Sequence, residues 1–201
     1  FLQFLAKGYV ECWKKQHFGR VVCITGSNGK TTTKEMLFHL LSGGLSGQVL
    51  ATKGNLNNDI GVPLTMLRIK KDTKIVVIEI GTNSPGEIAF LSQLAMPDYG
   101  IITSIGDSHL EKLKNREGVF VEKKALFEYL SKTSDEEKIA FTTDIGPLSN
   151  LPKSKKYEKV EMGTDFVKSE EGYFLAHQGG KLNLSCPNLT GDYNFVNFSL
   201  A

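Results

Sequence analysis

The sequence is poor in the features that mark specialised classes of protein. Its three cysteines, Cys12, Cys23 and Cys186, are odd in number and widely spaced. They build neither a disulfide framework nor a paired metal or redox knuckle. Cys23 lies in an apolar run and reads as a small core residue. A reducing cytosol is the simplest compartment for such a chain, so a cytoplasmic location is expected. Charge of one sign is equally scarce. The 24 Lys and Arg nearly balance the 22 Asp and Glu, for a net charge of +2. That field is too weak to select nucleic acid or a membrane surface as partner. The one local run, Lys153, Lys155 and Lys156, reads as a solvated loop. No apolar run approaches the roughly 20 residues that span a bilayer. There is no signal-peptide pattern, internal repeat or low-complexity tract.

An initiator Met and a helix cap are also absent at the start, where the chain reads Phe1-Leu2-Gln3-Phe4-Leu5. Leu2, Leu5, Tyr9 and Cys12, with Trp13 beside them, recur at helical spacing. The other end is an apolar segment, residues 195–201, with no stop signal. Both ends therefore read as cut, and a fragment of a longer protein is expected.

What is present suits one ordinary globular domain: 201 residues, 40% hydrophobic and 23% charged. Val21-Val22-Cys23-Ile24-Thr25 is a short β-branched run that predicts a buried strand. A glycine-containing turn follows. From Thr31 the pattern is helical, with Met36, Leu37, Leu40 and Leu41 on one face, ending at Gly43-Gly44. Further strands are predicted over residues 48–52, 74–80, 99–105 and 138–143. Helices are predicted over residues 87–94, opened by Pro85-Gly86, and 117–130. This alternation argues for a P-loop-type, mostly parallel α/β sheet with helices on both faces. After about residue 150, Gly172, Gly179-Gly180 and Pro187 punctuate short alternating stretches, which predicts a small β-rich extension.

The strongest local motif is Thr25-Gly26-Ser27-Asn28-Gly29-Lys30-Thr31-Thr32, between a predicted strand and a predicted helix. That is where a phosphate loop must lie. Glycines let the backbone approach a phosphate, and the N–H groups of the loop and helix start then face the anion. Lys30 can reach the β- and γ-phosphates, and the Thr31 hydroxyl can hold Mg²⁺. The loop is shorter than the commonest form, which needs a glycine where Ile24 stands.

Residues 21–37 resemble the ATP loop of the Mur ligases. Two further segments narrow the resemblance to the MurF type: Thr52-Lys53-Gly54-Asn55-Leu56-Asn57-Asn58-Asp59-Ile60-Gly61-Val62-Pro63 and Val77-Ile78-Glu79-Ile80-Gly81-Thr82-Asn83-Ser84-Pro85-Gly86-Glu87-Ile88. Ser108-His109-Leu110-Glu111, followed by Glu117-Gly118-Val119, adds to it. The resemblance is dense to about residue 130 and thins beyond.

It implies a three-domain cytoplasmic enzyme of bacterial cell-wall precursor synthesis. That enzyme uses ATP, and its partners are UDP-muramoyl tripeptide and D-alanyl-D-alanine, which it joins through an acyl phosphate. A monomer is expected. On this reading residues 1–20 are a linker helix from an N-terminal domain, residues 21–190 are the central ATP-binding domain, and residues 191–201 begin a junction to a C-terminal domain. The resemblance also implies roles. Gly26, Ser27, Asn28, Gly29, Lys30, Thr31 and Thr32 would bind ATP, with Asn194 near the base. Thr31 and Glu79 would hold one Mg²⁺, and His109 and Lys123 a second. Lys30, His109 and Lys123 would be catalytic, Lys123 as a carbamate. Asn55, Asn57 and Asn58 would line the peptide-substrate side.

Some residues depart from the family's spelling. Glu122-Lys123-Lys124-Ala125 replaces Ala-Lys-Gly-Glu, Gly191-Asp192-Tyr193-Asn194 replaces Gly-Arg-His-Asn, and Thr142-Thr143-Asp144 stands where Asn-Ala-Asp is frequent. The first departure touches the register of Lys123, and the last two touch the adenine contacts. The alternatives are another Mur ligase, a folylpolyglutamate-type ligase, or a regulatory NTPase. The isolated domain is expected to bind ATP without catalysing.

Overall fold

A computed structural model describes residues 1–132 and, beyond them, five strands: β5 (Ile139–Thr143), β6 (Tyr157–Val160), β7 (Phe166–Ser169), β8 (Gly172–His177) and β9 (Gly180–Leu184). The earlier elements are α1 (Leu2–His17), β1 (Arg20–Thr25), α2 (Lys30–Gly44), β2 (Val49–Ala51), α3 (Gly61–Met66), β3 (Ile75–Glu79), α4 (Glu87–Ala95), β4 (Tyr99–Ile102), α5 (Leu110–Leu113) and α6 (Arg116–Ser131).

The main sheet has the order β2-β3-β1-β4-β5-β6, and every neighbouring pair is parallel. The expected α/β class is therefore met. β7, β8 and β9 form a separate antiparallel sheet, in the region where the sequence predicts a β extension. β6 differs from that expectation, because it joins the parallel sheet beside β5.

β1, β3 and β4 are continuous apolar runs because both faces of the sheet are covered. Val21, Cys23, Val76, Ile78 and Ile102 point into the larger core with Leu91, Leu126 and Phe127 of the helices. Val22, Ile24, Val77 and Ile101 point to the other face, against Leu37 of α2. Burying each such side chain contributes about 1.5–3 kcal/mol.

Two helix faces differ from expectation. In α1 the buried residues are Ala6, Val10 and Trp13, while Leu5, Tyr9 and Cys12 face outward. Trp13 decides the orientation: its indole packs over Gly19, where an added Cβ would overlap the ring, and its N–H donates to Thr73 O at 3.3 Å. Tyr9 stays half outside and donates its hydroxyl to Ile69 O at 2.6 Å. In α2 Thr33, Lys34 and Leu37 are buried and Leu40 is 48% exposed. Leu41, not Leu40, continues the core face, and Gly43-Gly44 lie inside the last turn.

The strand order places β1 between β3 and β4, although β2 and β3 follow β1 in sequence. The chain therefore leaves β1 in one direction along the sheet and later fills the other side. At such a switch point the loops after neighbouring strands diverge and open a crevice at the carboxyl edge.

Candidate functional site

Three loops meet in that crevice: residues 26–29 after β1, residues 80–86 after β3 and residues 103–109 after β4. The first has little freedom. Gly26 has φ 151°, and a Cβ there would come 1.9 Å from Thr103 Oγ1. Gly29 precedes α2 at φ 87°. Both positions require glycine. The loop is sewn to its β4 neighbour: Ser27 N donates to Ser104 O at 2.9 Å, Asn28 N to Ser104 Oγ at 3.0 Å, and Gly106 N to Ser27 Oγ at 2.9 Å. Ser108 Oγ also donates to Ser27 Oγ at 3.0 Å. His109, next in sequence, sits in the left-handed region at φ 54°, starts α5 and is exposed.

Lys30 folds back over its own loop, donating to Gly26 O at 2.8 Å and Ser27 O at 3.2 Å. Those carbonyls hold the ammonium over the loop. Burial pushes the pKa of Lys30 down, and the charge of Glu79 works against that shift.

Glu79 ends β3 and is 2% exposed. Thr31 Oγ1 donates to its Oε2 at 2.8 Å, and Asn57 Nδ2 donates to its Oε1 at 2.9 Å. A buried carboxylate held by two neutral donors is a hard oxygen ligand, and the Thr31 hydroxyl beside it is a second. This set fits Mg²⁺. Among the described residues no three His, Cys, Asp or Glu side chains gather as a larger metal cluster. An ion here would therefore take most of its ligands from phosphate oxygens and water.

A cavity of about 220 Å³ opens beside these groups, lined in part by Lys30, Asn57, Asn58, Gly81, His109 and Lys123. Lys123 reaches it from α6 and is 1% exposed. Burial, then the charge of Lys30, lower its pKa to about 8, against a smaller raising effect from Glu122. Its amine is thus far more often neutral near physiological pH than that of a surface lysine.

The structure brings most of the predicted residues together. Lys30, Asn57, Asn58, His109 and Lys123 share the cavity, and Thr31 and Asn57 meet on Glu79. Asn58 also shapes the backbone. Its Oδ1 accepts from Ile60 N at 3.2 Å and Gly61 N at 2.8 Å, at the start of α3. Asn55 is exposed and is not among the cavity's lining residues. Asn194, Asp192, Tyr193 and Asp144 lie outside the described residues.

The sequence reading assigns no role to three residues that shape the site. Thr52 is buried directly before the Lys53-Gly54-Asn55 segment and accepts from Glu79 N through its hydroxyl at 3.0 Å. Lys34 is wholly buried in α2. Glu122, a departure from the family's spelling, accepts from Gly86 N and Ile88 N at 2.7 and 2.8 Å, so that α6 caps the start of α4. Only Glu122 carries a sequence signal, as a carboxylate in an otherwise apolar helix position.

Comparison with known proteins decides the lineage of this site. Residues 24–201 match the Mur ligase middle domain. The chain belongs to the Mur ligases. UDP-N-acetylmuramoyl-tripeptide–D-alanyl-D-alanine ligase of Bacillus subtilis is 38% identical over 204 residues, covering 98% of this chain and 42% of that protein. Among solved structures, MurF from Acinetobacter baumannii superposes with a TM-score of 0.81 at 27% identity, over 98% of this chain and 44% of its own. MurF from Thermotoga maritima, in complex with ADP, gives a TM-score of 0.78 at 27% identity, over 99% and 47%. This Mur ligase domain thus spans less than half the length of these relatives. Among its described residues no helix is long and apolar enough to cross a membrane.

Proposed function

We propose that this domain is the nucleotide-binding centre of a MurF-type ligase, which uses ATP to join D-alanyl-D-alanine to UDP-N-acetylmuramoyl tripeptide. The observation that carries the reading is the convergence of Lys30, Thr31, Glu79, His109 and Lys123 at one sheet edge, three of them lining one cavity. A relative of this name matches along 98% of the chain. The protein works in the cytoplasm as a monomer. Residues 1–20 link it to an N-terminal domain, and residues 191–201 lead to a C-terminal one.

The chemistry follows from charge. A carboxylate oxygen of the tripeptide attacks the γ-phosphorus of ATP, the bond to the β-phosphate oxygen breaks, and ADP leaves. The amine of D-alanyl-D-alanine then attacks the acyl carbon. It loses a proton as the amide forms, and phosphate departs. The first step brings two anions together, so fixed cations and aligned N–H groups supply most of the catalysis. The loop of residues 26–32 cradles the phosphates. Lys30 turns from its own carbonyls to the β- and γ-phosphates. Thr31 and Glu79 would hold one Mg²⁺, and His109 and carbamylated Lys123 would hold a second; Mg²⁺ bound there would offset charge on the phosphate oxygens. Asn55, Asn57 and Asn58 face the peptide substrate, and Asn194 the adenine.

Lys123 acts as a carbamate. The ammonium first loses one proton. The neutral amine then attacks the carbon of CO₂, one C=O π pair moves onto oxygen and a second proton leaves the nitrogen, so a cation becomes an anion. The depressed pKa near 8 supports this by keeping a substantial share of the amine neutral.

The test uses the full-length protein with ATP, Mg²⁺, UDP-muramoyl tripeptide and D-alanyl-D-alanine. Phosphate release that requires both peptide substrates is the expected result. Release indifferent to both would refute the assignment and favour a plain NTPase.

A further inference from the structure

Lys34 has no part in the chemistry just described, yet its side chain is 0% exposed. An apolar residue of similar length would fill the same space without burying a cation, which is costly when it is poorly matched. Its ammonium donates to Thr52 O at 2.8 Å and lies 2.7 Å from Oε1 of the adjacent Glu35, whose side chain is 61% exposed. The Glu35 pair reaches into solvent and restrains little. The bond to Thr52 is different, because Thr52 is a junction. Its N–H donates to Val77 O at 3.0 Å, and its hydroxyl accepts from Glu79 N at 3.0 Å.

These contacts close a ring. Thr31 and Lys34 stand three residues apart on α2, hence on one face. Thr31 grips the carboxylate of Glu79 at 2.8 Å. Lys34 grips Thr52, which holds the backbone of the same Glu79. One helix turn thus fixes the glutamate at both ends. The helix is also the one whose start carries the phosphate loop.

We infer that Lys34 is a positioning residue for the Mg²⁺-bearing edge of the nucleotide site, acting on Glu79 through Thr52. The inference rests on the proposed reading of Glu79 and Thr31 as Mg²⁺ ligands. Groups that orient metal ligands typically carry a tenfold or larger share of metal affinity, on the order of 10- to 100-fold. A lysine that only filled the core would weaken nucleotide binding equally with and without the metal.

The experiment measures ATP affinity of the full-length protein by calorimetry, once in excess Mg²⁺ and once in EDTA. For Lys34→Met the ratio of the two affinities is expected to fall by about tenfold, with affinity in EDTA little changed. Lys34→Arg, which keeps the donor, retains most of the ratio. Thr52→Val breaks the ring at the other joint without touching a charge and is expected to reproduce the loss, whereas Thr52→Ser keeps the ratio. The Thr52 pair carries the test if Lys34→Met does not fold. An unchanged ratio in Thr52→Val, or equal losses in Mg²⁺ and EDTA, would overturn the inference. Wild-type ATP binding that ignores Mg²⁺ would overturn the underlying reading itself, and the role of Lys34 with it.

Discussion

Glu122 offers a direct measure of how firmly the helix bearing Lys123 is held. It is 6% exposed, and its carboxylate accepts from Gly86 N and Ile88 N. Those N–H groups belong to the start of α4, which has no partner for them within its own helix. The anion also lies at the positive end of the helix dipole. Glu122→Ala leaves both donors without that acceptor, Ile88 N in a buried setting and Gly86 N in a part-buried one. Each such loss costs about 1–3 kcal/mol, so roughly 3 kcal/mol is expected after partial relaxation. In a domain of this size that lowers the melting temperature by about 6–12 °C. Glu122→Gln keeps one good acceptor and loses about half as much. Glu87 provides the control. It accepts from Asn83 N and Ser84 N beside the same helix start but is only partly buried, so Glu87→Ala costs about 1 kcal/mol. Thermal melts followed by circular dichroism, with urea titrations for the free energies, make the comparison. A loss below about 1 kcal/mol for Glu122→Ala, or equal losses at Glu87 and Glu122, would refute the reasoning.

Buried charge governs the other outcomes. With Lys123 near pKa 8 when folded and 10.5 when exposed, the unfolded chain binds the extra proton between those values. The Lys123 contribution to stability therefore rises as pH increases through that window, by at most about 3 kcal/mol, and Lys123→Met removes that contribution. Subtracting the two urea titrations isolates Lys123, because burial raises the Cys23 thiol above its ordinary 9.0 and pulls stability down at high pH. In ¹³CO₂-equilibrated buffer the wild-type protein shows a carbamate carbon resonance that Lys123→Met lacks; its absence from the wild type would remove the carbamate from the mechanism. Asp98 is 3% exposed and accepts from Lys14 Nζ and Val21 N, each at 2.8 Å. Asp98→Ala should destabilise by about 3 kcal/mol and loosen α1, detected as faster amide exchange in residues 2–17; unchanged exchange there would show that Asp98 does not anchor the helix.

The elements legible in the sequence are those whose signal is local. β1, β3 and β4 carry short runs rich in Val and Ile, and such runs are readable because both faces are buried. The loop of residues 26–31 is readable because two backbone conformations there demand glycine. α3 is not legible, for a physical reason: it is six residues long and contains Pro63. Proline is tolerated in that first turn, where its missing N–H would have no helical partner. α5 has only four residues and no periodicity to read. The faces of α1 and α2 mislead because side-chain size is a poor guide to the core there. In the folded chain Ala6 and Thr33 are buried, and Leu5 and Leu40 are not. In the site, residue types announce themselves but their partnerships do not. Nothing local in the sequence says that Thr31 and Asn57 meet on one carboxylate. A lysine at position 34 reads as surface until the strand leading to Thr52 is set beside it.

The partnerships follow from topology, and so does the balance of charge. Because β1 lies between β3 and β4, the loop bearing Lys30 must share its edge with Glu79 on one side and with the approach to His109 on the other. α6 then brings a second lysine to the same cavity. In the unmodified protein two ammonium groups act on one another there, and the charge of Lys30 is one reason Lys123 gives up its proton early. That repulsion favours the neutral amine, and the neutral amine is the form able to capture CO₂. In the proposed carbamate the same proximity would change sign: Lys30 would attract what it formerly repelled, and the fixed charge of Lys30, Glu79 and Lys123 would pass from net positive to net negative. A cavity that would otherwise hold phosphate alone then has a place for divalent cations between phosphate and protein. The burial of Lys123 beside Lys30 thus favours the neutral amine, and on the proposed reading the modification would make the site a metal-assisted one.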